Sequence, residues 1–579
     1  MTANRTTAEV VLGQPSFDAS RAHVTPTFLS VVATLILSGI VIAMFPLRYE
    51  TNDDVGMHLT AAGVFYGVEP SEHLVFTNIA LGYPLSRLYR LAPDVPWYGL
   101  YHILAVTGSA IAINALLLSI SRSHKLWALL SLHFFAAIAP CLISIQFTKS
   151  AFLATEAGLL TLLAPWFLEK SVSRYWIVAG IPLMLLGAAI RFDAFLLALI
   201  AMAPIVVWAA WQRSFRLWKP VVVPLLASLV CCGLLQSAHQ AYYAASPGWR
   251  DFYEFNQYRH QIVTRNAPLQ YVEKTKLIMD AVGWSPADYL MLKNWFCSDT
   301  NIFSTAKLQQ FARGIAQLES GHDSLGQVLK RLHPSIATVC LLACIAAFQL
   351  ILHGWPARLI AAGAFVFSTL LAVAISATTQ YMPDRVLYCL FLPSVLMGVL
   401  AAGKEVTAPN AAILKPRPWA GLIAALIAVT FAAAAWIDQA RVRHDLEDNA
   451  AAALDHIKLR SDVIFVDWGG AFQTQLFVHP LGSLDALRPV RCISLGWGLR
   501  SPISDSRMRE LGIEDLPQAL LTREDIVLVC FRGMLEILAQ YLCEHEEAEA
   551  IDIGFIHQGD ERVFGSVVRI RRAEQRISP

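Results

Sequence analysis

The strongest constraint on this chain is a recurrence of apolar runs close to 20 residues long, the length an α-helix needs to cross a bilayer. They fall at about 27–45, 97–120, 126–145, 151–168, 175–190, 194–211, 220–235, 336–352, 359–377, 386–402 and 420–436. Charged residues make up 15% of the chain, where soluble domains carry about 25%. The sequence therefore predicts an α-helical polytopic membrane protein of about eleven transmembrane helices, whose first partner is the lipid bilayer. A net charge of +1 offers no basic surface for a nucleic acid. Residues 1–26 read as a polar tail and not as a cleavable signal, because the run that follows is long enough to span. The ten cysteines have no metal-ligand spacing.

Loop charge sets the topology. The segment 74–90 is long enough for a short span, yet it carries Asn78, Pro84, Arg87 and Arg90 and suits a helix lying in the interface. With that assignment, and the N-terminus inside, the Lys- and Arg-rich short loops at 122–125, 169–174, 213–219 and 404–417 all fall on one side, as does Arg358. If 74–90 crossed, every later loop would change sides. The expected location is a plasma (inner) membrane, with a cytoplasmic N-terminus and an extracytoplasmic C-terminus.

The domains divide accordingly. A tail (1–26) precedes a membrane domain (27–437) with two outer pieces, a loop at 48–96 and a segment at 236–333. Beyond 440 short apolar strands alternate with helical stretches, so 440–579 reads as a small α/β domain. Neither Gly469-Gly470 nor Gly496-Trp497-Gly498 fits a nucleotide-binding fingerprint, and no catalytic residue is assigned there.

The outer face collects charge. Asp53 and Asp54 follow the first span directly. Lys149 sits in one tight turn, Arg191 and Asp193 in another, and Tyr381 and Arg385 in a third. Arg250, Arg259, His260 and Arg265 lie in the aromatic-rich 236–333 segment. Each has a plain reading: the acids cap a helix, Arg191 and Asp193 form an ion pair, and Lys149 and Arg385 snorkel to headgroups. Together they run against the positive-inside bias. Paired acids at a membrane surface suit a general base or a hard cation, and outer arginines suit a phosphate. Asp53 is the better catalytic candidate, because Asp54 is better placed to stabilise its helix's first turn.

This layout resembles the GT-C glycosyltransferases. The features that carry the resemblance are Asp53-Asp54 after the first span, an interfacial helix at 74–90 and an outer domain at 440–579. The resemblance implies an inverting transfer of a sugar from a polyprenyl-phosphate donor to an extracytoplasmic glycan, lipid or protein. By position, Asp53 or Asp54 would be the base, or a ligand of Mg or Mn in a metal-dependent branch. Arg191, Arg385, Lys149 and Arg259 would hold the donor phosphate, with His58, Asp193, Tyr381 and His260 in support. The chain lacks the Trp-Trp-Asp triplet of oligosaccharyltransferases. Two other classes compete. A polysaccharide polymerase or ligase of the O-antigen type would use Arg250, Arg259 and Arg265. A secondary transporter would show internal repeats and mid-membrane charges.

Overall fold

The computed structural model describes residues 19–120, 133–168, 174–211, 218–264, 271–318, 325–332, 334–351, 355–379, 381–407, most of 454–462, 463–546, 548–555 and 566–572. It is mostly helical, with a small sheet in the C-terminal region. Six described helices are long and apolar enough to cross a membrane: Thr27–Met44, Trp97–Ile120, Phe147–Leu168, Lys219–Ala244, Trp355–Thr379 and Asp384–Ala402. A seventh candidate is a bent pair, Phe192–Ala201 and Ala203–Trp211, broken by 43°. Arg174–Ile190 and Ile336–Ile351 are apolar but shorter, at 17 and 16 residues. The expected span at 420–436 and most of the expected helix at 444–459 lie outside the described residues.

The expected third span is interrupted. A π-helical turn (Phe134–Ile138) and one helical turn (Ala139–Ile143) give way to β2 (Ser144–Ile145), after which the chain restarts as Phe147–Leu168. β2 pairs in parallel with β1 (Arg48–Tyr49), and the Arg48 Nε–H donates to Ser144 Oγ at 3.1 Å. This ties the first loop to the helix break. Phe147–Leu168 is the axis of the bundle, with 94% of its apolar window buried, whereas Lys219–Ala244 is 17% buried and turns most of its surface outward.

Two short helices follow the first long helix, α1 (Ala19–Met44). α2 (Asn52–Ala62) is almost wholly buried. α3 (Ile79–Leu91) has 13 residues, less than a span, and is amphipathic as an interfacial helix should be. Asn78 caps α3 by accepting the Ala80 N–H at 3.0 Å.

The expected outer pieces at 236–333 and 440–579 share one core. Helices Pro247–Thr264, Pro286–Lys293 and Thr305–Leu318 bury Phe255, Tyr289 and Phe311 in the same cluster as Val466, Leu528 and Tyr541. Trp468 Nε1–H donates to the Asn294 carbonyl at 2.6 Å across that junction. The sheet runs in the order β4 (Cys492–Ser494), β3 (Ile464–Asp467), β5 (Ile526–Cys530), β7 (Ser566–Arg572), β6 (Ala548–Phe555). β3 is parallel to both β4 and β5, while β7 is antiparallel to β5 and β6. In such a half-parallel sheet the crevice beyond the carboxyl ends of the parallel strands is the usual place for a ligand. Those ends, at Asp467 and Ser494, face the bundle.

Candidate functional site

A cavity of about 710 Å³ lies between one end of the helical bundle and the C-terminal domain, a size within the range of small-molecule sites. Asp53, Arg191, His260, Tyr381 and Arg385 all line it. Residues more than 300 positions apart in the sequence thus meet at one wall.

The two adjacent acids do different things. Asp53 opens on the cavity. Asp54 is fully buried and points the other way, accepting the Phe147 N–H at 3.0 Å and the Thr51 hydroxyl at 2.8 Å. It keeps the expected place in the first turn of its own helix, bonded to the N-cap residue Thr51, and it also caps the central helix 93 residues further on. Burial pushes the Asp54 carboxyl well above the usual range. The Thr51 hydrogen bond opposes this, Asp53 adds to it, the Phe147 N–H opposes it and Glu50 adds to it. Asp54 is corrected from catalytic candidate to structural cap. Asp54→Ala is expected to remove about 1–3 kcal/mol, the cost of orphaning a buried donor, and to lower the Tm in detergent. Asp54→Asn, whose amide oxygen can accept the same N–H, restores most of it. If Asp54→Ala has an unchanged Tm, the cap assignment is wrong.

Asp53 is held in a mixed field. Burial raises its pKa, and Arg385 and then Arg191 pull it back without cancelling the rise. Arg191 is fixed from two sides: Nη1–H donates to Thr148 Oγ1 at 2.9 Å, and the guanidinium carbon lies 4.6 Å from the Phe147 ring centre. Arg385 sits in the first turn of Asp384–Thr407 and has no side-chain hydrogen bond or ion pair among the described residues. Its neighbour Asp384 is engaged, accepting from the Ser335 N–H at 2.7 Å and the Thr338 hydroxyl at 2.9 Å. Burial lowers the His260 pKa, with Arg259 and Arg191 acting in the same direction. Asp193 opposes that shift without cancelling it.

Four expected site residues are elsewhere. Lys149 is buried, ion-paired to Glu50 and set 4.9 Å from the Tyr388 ring centre. A buried cation needs a counter-charge, and the first loop supplies it, so Lys149 does not hold phosphate at the cavity wall. Arg259 is fully buried, donating to the carbonyls of Gly496 and Trp497 and to Asn256 Oδ1. It clamps the C-terminal domain, which also removes it from the polymerase reading. His58 is buried against the Tyr49 hydroxyl at 3.0 Å, and burial lowers its pKa to about 3, so it stays neutral. Asp193 lines an adjacent cavity of about 370 Å³ that shares Arg191, Val75 and Phe76 with the first. A metal held by Asp53 and Asp54 together does not fit, because the two carboxylates diverge. Among the described residues no group of three or more His, Cys, Asp and Glu side chains converges.

Two further features were not anticipated. First, five described helices begin at the cavity wall. α2 contributes Asn52 and Asp53; Phe147–Leu168, Phe192–Ala201 and Asp384–Thr407 contribute Phe147, the capping Arg191 and Arg385; Pro502–Glu510 contributes Ser501 and Ser504. Each helix start carries about half a positive charge; Asp54 takes up that of Phe147–Leu168, and the other starts favour an anion beside Arg191 and Arg385. Second, the C-terminal domain supplies Asp467, Ser494 and Trp497. Asp467 accepts the Tyr66 hydroxyl at 2.7 Å and the Phe472 N–H at 3.2 Å, and burial raises its pKa to about 6. Its position at the end of an expected strand was the signal available in the sequence.

No protein-family model matches the chain, and no curated protein is significantly similar to it.

Proposed function

We propose that this chain is an inverting membrane glycosyltransferase that moves a sugar from a polyprenyl-phosphate donor to an extracytoplasmic acceptor, a cell-envelope glycan, lipid or protein. The observation that carries this reading is the cavity that joins the Asp53 carboxylate to the Arg191 and Arg385 guanidiniums among helix N-termini at one end of the bundle. In this reading the bent pair, the two shorter apolar helices, the interrupted segment 126–145 and 420–436 also cross. That makes eleven spans in the plasma membrane, with the N-terminus inside and the cavity outside.

Asp53 takes the proton from an acceptor hydroxyl. The oxygen attacks the anomeric carbon from the face opposite the phosphate, and the bond from that carbon to the phosphate oxygen breaks. Charge collects on the departing polyprenyl phosphate, where Arg191, Arg385 and the helix N-termini meet it. The prenyl tail lies along Trp355–Thr379, whose Ile375 and Thr379 reach the cavity wall while Val366 and Leu370 are exposed on its surface. A divalent cation would find Asp53 but no second convergent acid on α2, so no step is assigned to one.

The test is binding and turnover in lipid nanodiscs. Polyprenyl phosphate should bind at least about tenfold more tightly than the polyprenol of equal length, the gain expected of charge-assisted contacts. A labelled hexose should pass from its polyprenyl phosphate to added envelope glycan, lipid or protein. Equal affinity for phosphate and alcohol would defeat the reading.

A further inference from the structure

The segment Gly496-Trp497-Gly498 has no role in the scheme above, yet it enters the cavity. It leaves the carboxyl end of β4 and carries the Trp497 indole to α2. A Cβ added at Gly56 would meet the Trp497 ring at 3.0 Å, so the absence of a side chain at Gly56 makes room for the indole. Gly56 is three residues, just under one helical turn, from Asp53. The Phe76 ring also meets the indole, with ring centres 5.1 Å apart and planes at 61°. The loop is fastened from behind: Arg259, fully buried, donates to the carbonyls of Gly496 at 3.4 Å and of Trp497 at 2.5 Å, and Gly496 N–H donates to Ser494 Oγ at 3.1 Å. A buried arginine spent on two loop carbonyls gives Trp497 a fixed position before any ligand arrives. Polar groups line the same cavity: Asp467 with Tyr66, Ser494 and Ser501.

An aromatic plane that shares a cavity with a carboxylate and hydroxyls suits one class of ligand. A pyranose has an apolar C–H face for the ring and a rim of hydroxyls for the acceptors around it. We infer that Trp497, Asp467 and Ser494 form a pyranose-ring subsite supplied by the C-terminal domain, one helical turn from Asp53. This deepens the glycosyltransferase reading and rests on it. The sugar bound there belongs either to the donor or to a glycan acceptor. The chemistry is the same for both, and the test separates them.

The experiment measures binding of three probes to the full-length protein in nanodiscs: polyprenyl phosphate, the same lipid phosphate carrying one hexose, and a soluble trisaccharide. Trp497→Ala is compared with wild type, Trp497→Phe and Asp467→Asn. Trp497→Ala should bind sugar-free polyprenyl phosphate within about twofold of wild type, which shows that the fold and the phosphate wall survive. It should bind a sugar-bearing probe about 10- to 100-fold more weakly, the range for losing a buried aromatic anchor. Trp497→Phe should recover most of that loss, and Asp467→Asn should weaken the same probe. Loss confined to the hexose-bearing lipid assigns the subsite to the donor. Loss confined to the trisaccharide assigns it to the acceptor. Equal weakening of all three probes, or undiminished binding of both sugar-bearing probes, overturns the subsite. The parent reading fails separately, by wild-type protein that does not distinguish polyprenyl phosphate from polyprenol.

Discussion

Asp53→Asn is expected to lower kcat for sugar transfer by about 10²- to 10⁴-fold, the usual contribution of a positioned general base, while donor affinity changes only a few-fold. Asparagine keeps the shape and removes the basicity, so the loss reports proton transfer and not packing. The neighbouring acid is the built-in control. Asp54→Asn alters the residue next in sequence, yet its side chain leads to the Phe147 N–H and away from the cavity. It should retain most of the activity that Asp53→Asn loses. The pH profile provides a second readout. Burial raises the Asp53 pKa, so the acid limb of kcat/KM should lie above the ordinary carboxylate value of about 4. The active form is the carboxylate, and the rate therefore falls as pH drops through that limb. Arg385 is the larger of the two charges that pull the Asp53 pKa down. Arg385→Ala should accordingly move the acid limb to higher pH, along with its effect on rate.

Arg191→Ala and Arg385→Ala are each expected to reduce kcat by about 10²- to 10³-fold, the range for removing one preorganised partner of transition-state charge. The double variant should be worse than either. The two arginines will tolerate lysine differently. Arg191 is committed to Thr148 through one N–H and to the Phe147 ring through its planar face. An ammonium can keep neither geometry, so Arg191→Lys should behave almost like alanine. Arg385 has no such fixed contacts among the described residues, so Arg385→Lys should retain a larger share of activity. Steady-state transfer kinetics in nanodiscs with a labelled hexosyl lipid phosphate would check both. Equal tolerance of lysine at the two positions would show that the Thr148 and Phe147 contacts do not matter to function.

The apolar runs were legible because bilayer thickness sets helix length, and the six clear helices fall where those runs lie. The meeting of Asp53, Arg191 and Arg385 was legible because loop charge sorted the tight turns onto one side. Lys149 and Arg259 could not be told apart from them. Whether a cation faces a cavity or a buried partner depends on contacts such as Lys149 with Glu50, and Arg259 with the Trp497 carbonyl 238 residues away. The same blindness applied to Asp54, whose acceptor role needs β1 paired to β2 beside the helix break at 146. The contribution of Asp467 was hidden for another reason. It depends on the C-terminal domain turning the carboxyl ends of β3 and β4 toward the bundle, with Tyr66 bonded to Asp467 across 401 residues. No local pattern encodes that orientation.

The central claim is that a lipid-linked phosphate sits between Arg191 and Arg385 with its sugar turned toward Asp53. A structure of the Asp53→Asn protein in nanodiscs with polyprenyl-phosphate hexose bound tests this most directly. The account predicts phosphate density within hydrogen-bonding reach of both guanidiniums, with the hexose between them and residue 53. Phosphate density outside this cavity, or in it but in contact with neither arginine, would contradict the account.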